Sequence, residues 1–340
     1  MRKRIIVGVV ALALAAGQAA MAQSRDQVRL GLLASLTDAA IFIAIKKGFY
    51  AEENIEVVLT TFRSGANMVL PLGTGDLDAA AGSPSAGLYN AIARGVKMRI
   101  VADKTRSTPG FGGSHFIVRK DLVESGRFKT IKDLKGMKIA MNGPGISNTA
   151  TLHYLLKANG LTEADVSTVD LNFPDHIAAF ANKSVDAANN LEPFISLAVA
   201  RGLAVRIISD DQIDPNHQLA NILFSDAFSA KRDVAVRFLR AYLKGARVYI
   251  KALKDGRLAG ETAEEVIGIL TEFTAVKDAN VLRGITPSGI DPDGEINGAS
   301  LQKDLDFYRT QDQIKGEVDL QKIIDSSFVR EAAKSLGPFK

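Results

Sequence analysis

The 340-residue sequence contains no cysteine and no tryptophan. Without cysteine there can be no disulfide, thiol nucleophile, iron–sulfur cluster or cysteine-bound zinc, so a packed core must supply the stability. Aromatic residues are scarce at 6 %, and the four histidines (His115, His153, His176 and His217) show no spacing that would gather a metal ion. An excess of one charge is also missing. There are 42 basic and 38 acidic residues, with no basic cluster interleaved with aromatics, which argues against a nucleic-acid partner. Beyond the N-terminus no apolar run reaches the length of a membrane-spanning helix, so the chain is not expected to be membrane-embedded.

The N-terminus has its own pattern. Arg2, Lys3 and Arg4 precede an apolar run from Ile5 to Ala16, and Ala20-Met21-Ala22 then supplies small residues at a cleavage point. Residues 1–22 therefore read as a secretory signal peptide, cut after Ala22, that places the mature chain in the periplasm. No cysteine follows the apolar run, so no lipid can be attached there. The three basic residues leave with this segment, which brings the formal charge of +4 close to neutral.

The rest of the chain carries one paragraph twice. The first copy starts with the apolar run VRLGLL (28–33), then a helical stretch ending at Gly48, the β-rich IEVVLTTF (55–62), a second helix, and GDLDAAAGSPSAG (75–87). The second starts at GMKIAM (136–141), with a helix ending at Gly160, then VSTVDL (166–171), another helix, and KSVDAANNLEPF (183–194). Asp78-Ala79-Ala80 corresponds to Asp186-Ala187-Ala188, and Pro84 corresponds to Pro193. Two strand–helix–strand–helix–strand units predict two similar α/β lobes that face each other across a cleft. Lys46, Lys47 and Lys157 precede Gly48 and Gly160, as expected for helix C-termini. Thr162 and Asp165 have the spacing of a cap.

The C-terminal third lies outside the repeat. It reads as a buried strand over 219–224, a long amphipathic helix from Lys231 to Leu253, helices near 264–273, 300–311 and 328–336, and a loop over 284–298. The expected organisation is a discontinuous first lobe (27–110 plus 213–340) and a second lobe over 111–212. Gly110, Gly112 and Gly113 lie in one of the two crossings as hinge candidates.

In open α/β sheets, ligands sit beyond the carboxyl ends of the parallel strands. In the first lobe those ends place Ser35, Thr37, Asp38, Ser64, Gly65, Ser83 and Ser85 at the cleft. In the second they place Asn142, Ser147, Asn148, Thr149, Phe173, Asn190 and Glu192 there, with His115 beside the glycine-rich crossing. Several of these residues open helices, whose free N–H groups favour an anion or another hydrogen-bond acceptor. Lys104, Arg106 and Arg63 could supply positive charge but read first as solvated surface cations, and Glu192 reads as a helix cap or a partner for a donor group on the ligand. No catalytic residue, cofactor or metal is indicated. SPSAG (83–87) lacks the first glycine of a nucleophile elbow. GPGISN (143–148) ends in Asn148 where a dinucleotide loop needs glycine. DPDGE (291–295) places its glycine wrongly for a calcium loop.

The runs IKKGFYAEENIEV (45–57), GDLDAAAGSPSAGLYNAIARG (75–95), DLKGMKIAMNGPGISNTATLHYLLKANGL (133–161) and VDAANNLEPF (185–194) carry a broader likeness. Over most of residues 28–250 the chain resembles the nitrate/sulfonate/taurine/thiamine-precursor group of periplasmic solute-binding proteins. The resemblance implies a type II periplasmic-binding-protein fold, a monomer that closes on a small-molecule solute, and delivery to an ABC permease in the inner membrane. It implies pocket positions at Ser35, Ser64, Ser83, Ser85, Ser147, Thr149, Asn190 and Glu192. The chain departs from many sulfonate binders, which carry an aromatic after the second Asp-Ala. Here Ala188-Asn189-Asn190 follows, which points away from a sulfonate. Pyrimidine synthases of thiamine biosynthesis share the resemblance but are intracellular and carry a cysteine-rich motif. A receptor that reports to a membrane sensor is the other alternative.

Export makes a direct prediction. Intact-mass spectrometry of the periplasmic fraction should find a mature chain that begins at Gln23. A chain that keeps residues 1–22 would remove the export reading.

Overall fold

The computed structural model describes residues 24–340; the proposed signal peptide and its cleavage point lie outside the described residues. The first sheet draws on β1 (Asp26–Leu32), β2 (Ile55–Thr61), β3 (Ala79–Gly82) and β4 (Met98–Arg106). The second holds β5 (Ser114–Arg119), β6 (Lys138–Met141), β7 (Ser167–Asp170), β8 (Ala187–Leu191) and β9 (Ala204–Ser209). The chain then returns to the first sheet as β10 (Gln218–Ser225). The strand orders are β2-β1-β3-β10-β4 and β7-β6-β8-β5-β9. In each sheet four strands point the same way, and the fourth in order runs antiparallel to both of its neighbours. Sheets and flanking helices form the two lobes of the expected type II periplasmic-binding-protein fold.

The repeated Asp-Ala-Ala has a structural cause. Asp78 donates its N–H to the Arg29 carbonyl at 2.9 Å, and its carboxylate accepts from the Arg29 N–H at 2.9 Å. Asp186 repeats this on Lys138, donating at 2.8 Å and accepting at 3.0 Å. Each carboxylate thus extends a parallel ladder by one rung before the strand begins. The paired alanines then meet Leu30 and Gly31 in one sheet, and Ile139 and Ala140 in the other. These central positions are covered on both faces and fully buried. The edge strand β7 has one neighbour and is mostly exposed, so VSTVDL is less buried than its apolar character suggests.

Helix boundaries follow the sequence signals closely. The helix Ala39–Lys46 ends before Gly48, which takes φ 74°, and Ser147–Ala158 ends before Gly160 at φ 73°. Thr162 and Asp165 form a reciprocal capping box. The long helix Arg232–Lys251 buries Phe238, Tyr242 and Tyr249 against the first sheet. The C-terminal helices Gly298–Thr310 and Ser327–Leu336 complete the first lobe's cover.

The two crossings, 107–113 and 210–217, lie side by side. Ser107 donates to the His217 carbonyl at 2.9 Å, Asn216 donates to the Ser107 carbonyl at 2.8 Å, and Gly110 donates to the Asp211 carboxylate at 2.8 Å. The loop 284–298 braces them through bridges from Ser288 to Gly112 and from Gly289 to Arg106. Gly113 has φ 62°, and a Cβ there would overlap Ser288, so conformation and space both require glycine.

A second close approach supplies a stability test. A Cβ on Gly245, inside the helix Arg232–Lys251, would come within 2.1 Å of the Ala40 carbonyl oxygen on the neighbouring helix. In an open helix, Gly→Ala stabilises by about 1 kcal/mol. Here two backbones must separate, an overpacking cost of about 1–3 kcal/mol. Gly245→Ala should therefore lower the urea midpoint. An unchanged or higher midpoint would show that the helices are free to move apart.

Candidate functional site

The strand ends of both lobes converge on an inner chamber of about 60 Å³, next to an outer cleft of about 560 Å³. Leu33 and Phe173 line both. A larger groove of about 720 Å³ lies elsewhere, beside β4, among Ile92, Arg99 and Lys322. The chemistry favours the chamber. Thr105 Oγ1, Asn148 Nδ2, Asn148 Oδ1 and Asp210 Oδ2 are all buried without a hydrogen-bond partner, and all three residues line it. Native interiors rarely leave such groups unsatisfied, so their convergence marks a site built for a polar guest.

The lobes meet directly around this chamber. The Ser147 N–H donates to Ser83 Oγ at 3.1 Å, the Ala86 N–H donates to the Gly145 carbonyl at 2.7 Å, and Asn142 Nδ2 donates to the Arg63 carbonyl at 3.3 Å. The helix starting at Ser147 thus faces the one starting at Ala86, and these N–H groups serve closure.

Eight of the fifteen expected site residues line the two spaces. Thr37, Gly65, Ser83, Asn142, Ser147, Asn148 and Phe173 reach the chamber, and Ser35 and Phe173 the outer cleft. Seven do not line either space. Asp38 is fully buried and paired with Lys104 at 2.6 Å. The Ser64 hydroxyl binds Asn67, and the Ser85 hydroxyl caps its own helix by accepting from the Leu88 N–H at 3.1 Å. The Thr149 hydroxyl donates back to the Ile146 carbonyl at 2.7 Å. Glu192 accepts from Ser196 and from Arg206, the latter at 2.7 Å, and so holds the start of a helix.

The remaining two are displaced by strand alternation. On β5, Ser114 reaches the chamber and His115 lies on the other face. Burial and the nearby Arg206 push the pKa of His115 down to about 4. On β8, Asn189 and Leu191 reach the chamber, while Asn190 between them donates to the Phe173 carbonyl at 3.3 Å.

Lys104 differs most from expectation. The β4–β10 ladder slips in register around Lys104 and Leu219, leaving each without an opposite residue. Such a bulge re-aims side chains, and Lys104 turns inward beside Thr105. Only 1 % of its side chain is exposed, and its ammonium contacts Asp38, Thr37 Oγ1 at 3.1 Å and the Ala81 carbonyl at 3.1 Å. Arg106 is also drawn in, between Asp103 and Asp291, whereas Arg63 stays exposed. Asp210, in the second crossing, was not among the expected residues. It accepts from Asn189 Nδ2 at 3.0 Å, and burial pushes its carboxyl up to about 7. It directly follows the carboxyl end of β9, a strand absent from the expected elements, in a segment read only as a crossing.

The Lys104–Asp38 pair can be tested. Lys104→Met would leave a buried carboxylate uncompensated, at a cost of about 3–5 kcal/mol. Adding Asp38→Asn should recover most of that loss in urea denaturation. If the double variant stays as weak as the single one, charge balance is not what holds this wall.

A family model described as NMT1/THI5 like matches residues 37–252, well over half of the chain. A putative aliphatic sulfonates-binding protein of Bacillus subtilis is 27 % identical, over 98 % of this chain and 97 % of that one. The alkanesulfonate-binding protein SsuA from Xanthomonas axonopodis, solved with MOPS, superposes with a TM-score of 0.71 at 16 % identity, over 89 % of this chain and 99 % of that one. The periplasmic nitrate-binding protein NrtA from Synechocystis gives 0.71 at 17 %, over 92 % of this chain and 89 % of that one. At these identities the two structures establish a shared fold.

Proposed function

Because the chain belongs to the NMT1/THI5-like family, we propose that it is the solute-binding component of an ABC importer. In this reading it is exported to the periplasm, acts as a monomer, traps a small polar organic solute between its lobes and hands it to an inner-membrane permease. One observation carries the binding role. Buried polar atoms of Thr105, Asn148 and Asp210 lack partners and converge on one chamber between the lobes. The hydroxyls of Ser83 and Ser147 are engaged by neighbouring groups, which favours a receptor over an enzyme at this site.

The mechanism is a population shift. Ser83, Arg63 and Ala86 touch Asn142, Gly145 and Ser147 when the lobes are closed. A solute seated between the lobes adds contacts that only the closed form can make, and so draws the hinge equilibrium toward closure. The paired crossings 107–113 and 210–217 are the segments that would rotate. Micromolar binding corresponds to roughly 8 kcal/mol, within reach of a few well-placed hydrogen bonds and an apolar wall.

A panel of sulfonates, nitrate, carboxylates, pyrimidines and amines tests the reading by thermal unfolding. A solute at a hundred times its Kd should stabilise the chain by about 2.7 kcal/mol. Asn148→Ala should abolish the shift for that solute. The unliganded melting temperature should hold or rise, because removing an unsatisfied buried amide is not costly. A panel with no effect on melting, or a variant that keeps the full shift, would overturn the proposal.

A further inference from the structure

We propose that the chamber selects its solute by an N–H donor head taken up by Asp210 and Asn148. An apolar or aromatic body would then run out past Leu33 and Phe173 into the outer cleft. The inference rests on the reading of this cleft as a solute site and names the chemical class that the site takes.

Among the described residues the chamber's one cation is Lys104, and an ammonium has three N–H donors. Asp38, Thr37 Oγ1 and the Ala81 carbonyl occupy three directions around it. The charge is balanced by Asp38, which leaves no net positive charge for an anion. The acceptors differ. Asp210 is 1 % exposed, and one carboxylate oxygen accepts from Asn189 while Oδ2 has no partner. Asn148 is 6 % exposed and lacks a partner on both its amide oxygen and its nitrogen. The wall thus offers a free carboxylate oxygen, a free carbonyl oxygen and one amide donor.

Three N–H groups at the helix N-termini that might have attracted an oxyanion already have acceptors, two of them across the cleft. The Ser147 N–H serves Ser83, the Ala86 N–H serves Gly145, and the Leu88 N–H serves Ser85. With Asp210 ionised, a sulfonate in the chamber would meet its carboxylate with no available cation, whereas an amide, ammonium or amidinium presents the donors these oxygens need.

A chamber of about 60 Å³ admits a small head group only. The adjoining outer cleft of about 560 Å³ is walled by Leu33, Phe62, Phe173 and Phe194. Arg63, the cation there, is exposed and shares that wall with Asp175, so it does not make the cleft an anion site.

Isothermal titration of the mature chain with benzamidine, benzamide and benzenesulfonate compares heads on one body. Benzamidine or benzamide should bind at least tenfold tighter than benzenesulfonate, with the amidine–amide gap separating charge from hydrogen bonding. Asp210→Asn should cut the amidine preference at least tenfold, with circular dichroism checking the fold. The wild-type comparison stands alone if that variant does not fold. Benzenesulfonate binding as tightly as benzamidine, or an amidine preference that survives Asp210→Asn, would overturn the inference and leave the solute-binding reading intact. Silence from all three, with another member of the wider panel binding, overturns this inference alone. Silence from both sets removes both.

Discussion

Two adjacent crossing segments, hydrogen-bonded to each other, join two sheets of the same winding. That constraint governs the rest of the molecule. Because 107–113 and 210–217 bond through Ser107, Asn216 and His217, the lobes are tied along one side and face each other across a cleft. The parallel strands β1 and β3 of one lobe and β6 and β8 of the other deliver their carboxyl ends to it. Ser83, Asn142 and Ser147 meet there through the winding of the chain, not through any local sequence relation.

Closing two such faces creates an electrostatic problem, since each contributes helix N-termini and polar side chains to a water-poor space. The structure resolves most of it internally. Helix N–H groups of one lobe find acceptors on the other, and Lys104 is neutralised by Asp38. Among the residues lining the chamber, the unpartnered buried groups belong to Thr105, Asn148 and Asp210, one from each of three chain regions. A fold that satisfies its buried polar groups almost everywhere in this cleft and leaves a few pointing at one chamber has concentrated its binding capacity there.

How much of the site could be read in advance depended on what positions each residue. Asn148 and Ser147 follow a strand and open a helix, and local pattern finds such places. Asn189 and Asn190 are neighbours of the same type on one buried strand. Both faces of β8 are covered, so no apolar–polar alternation tells which asparagine faces the cleft. The same holds for Ser114 and His115 on β5. Lys104 looked like surface because lysine ordinarily is; a register slip against β10 turned it inward. Ser85 and Glu192 have the composition of ligand groups and the geometry of caps.

The duplicated α/β units, the helix ends at Gly48 and Gly160, and the loops that meet at the cleft were determined by the sequence alone. Each rests on short-range physics: hydrophobic period, capping chemistry, and glycine's access to positive φ. The tertiary structure decided which side chain at each strand end reaches the chamber, that Lys104 is balanced and Asp210 is not, and that the facing helix N-termini satisfy each other. These outcomes depend on register and on the approach of residues far apart in the chain. Neither is encoded at any single position, because burial and partnership belong to the assembled pair of lobes.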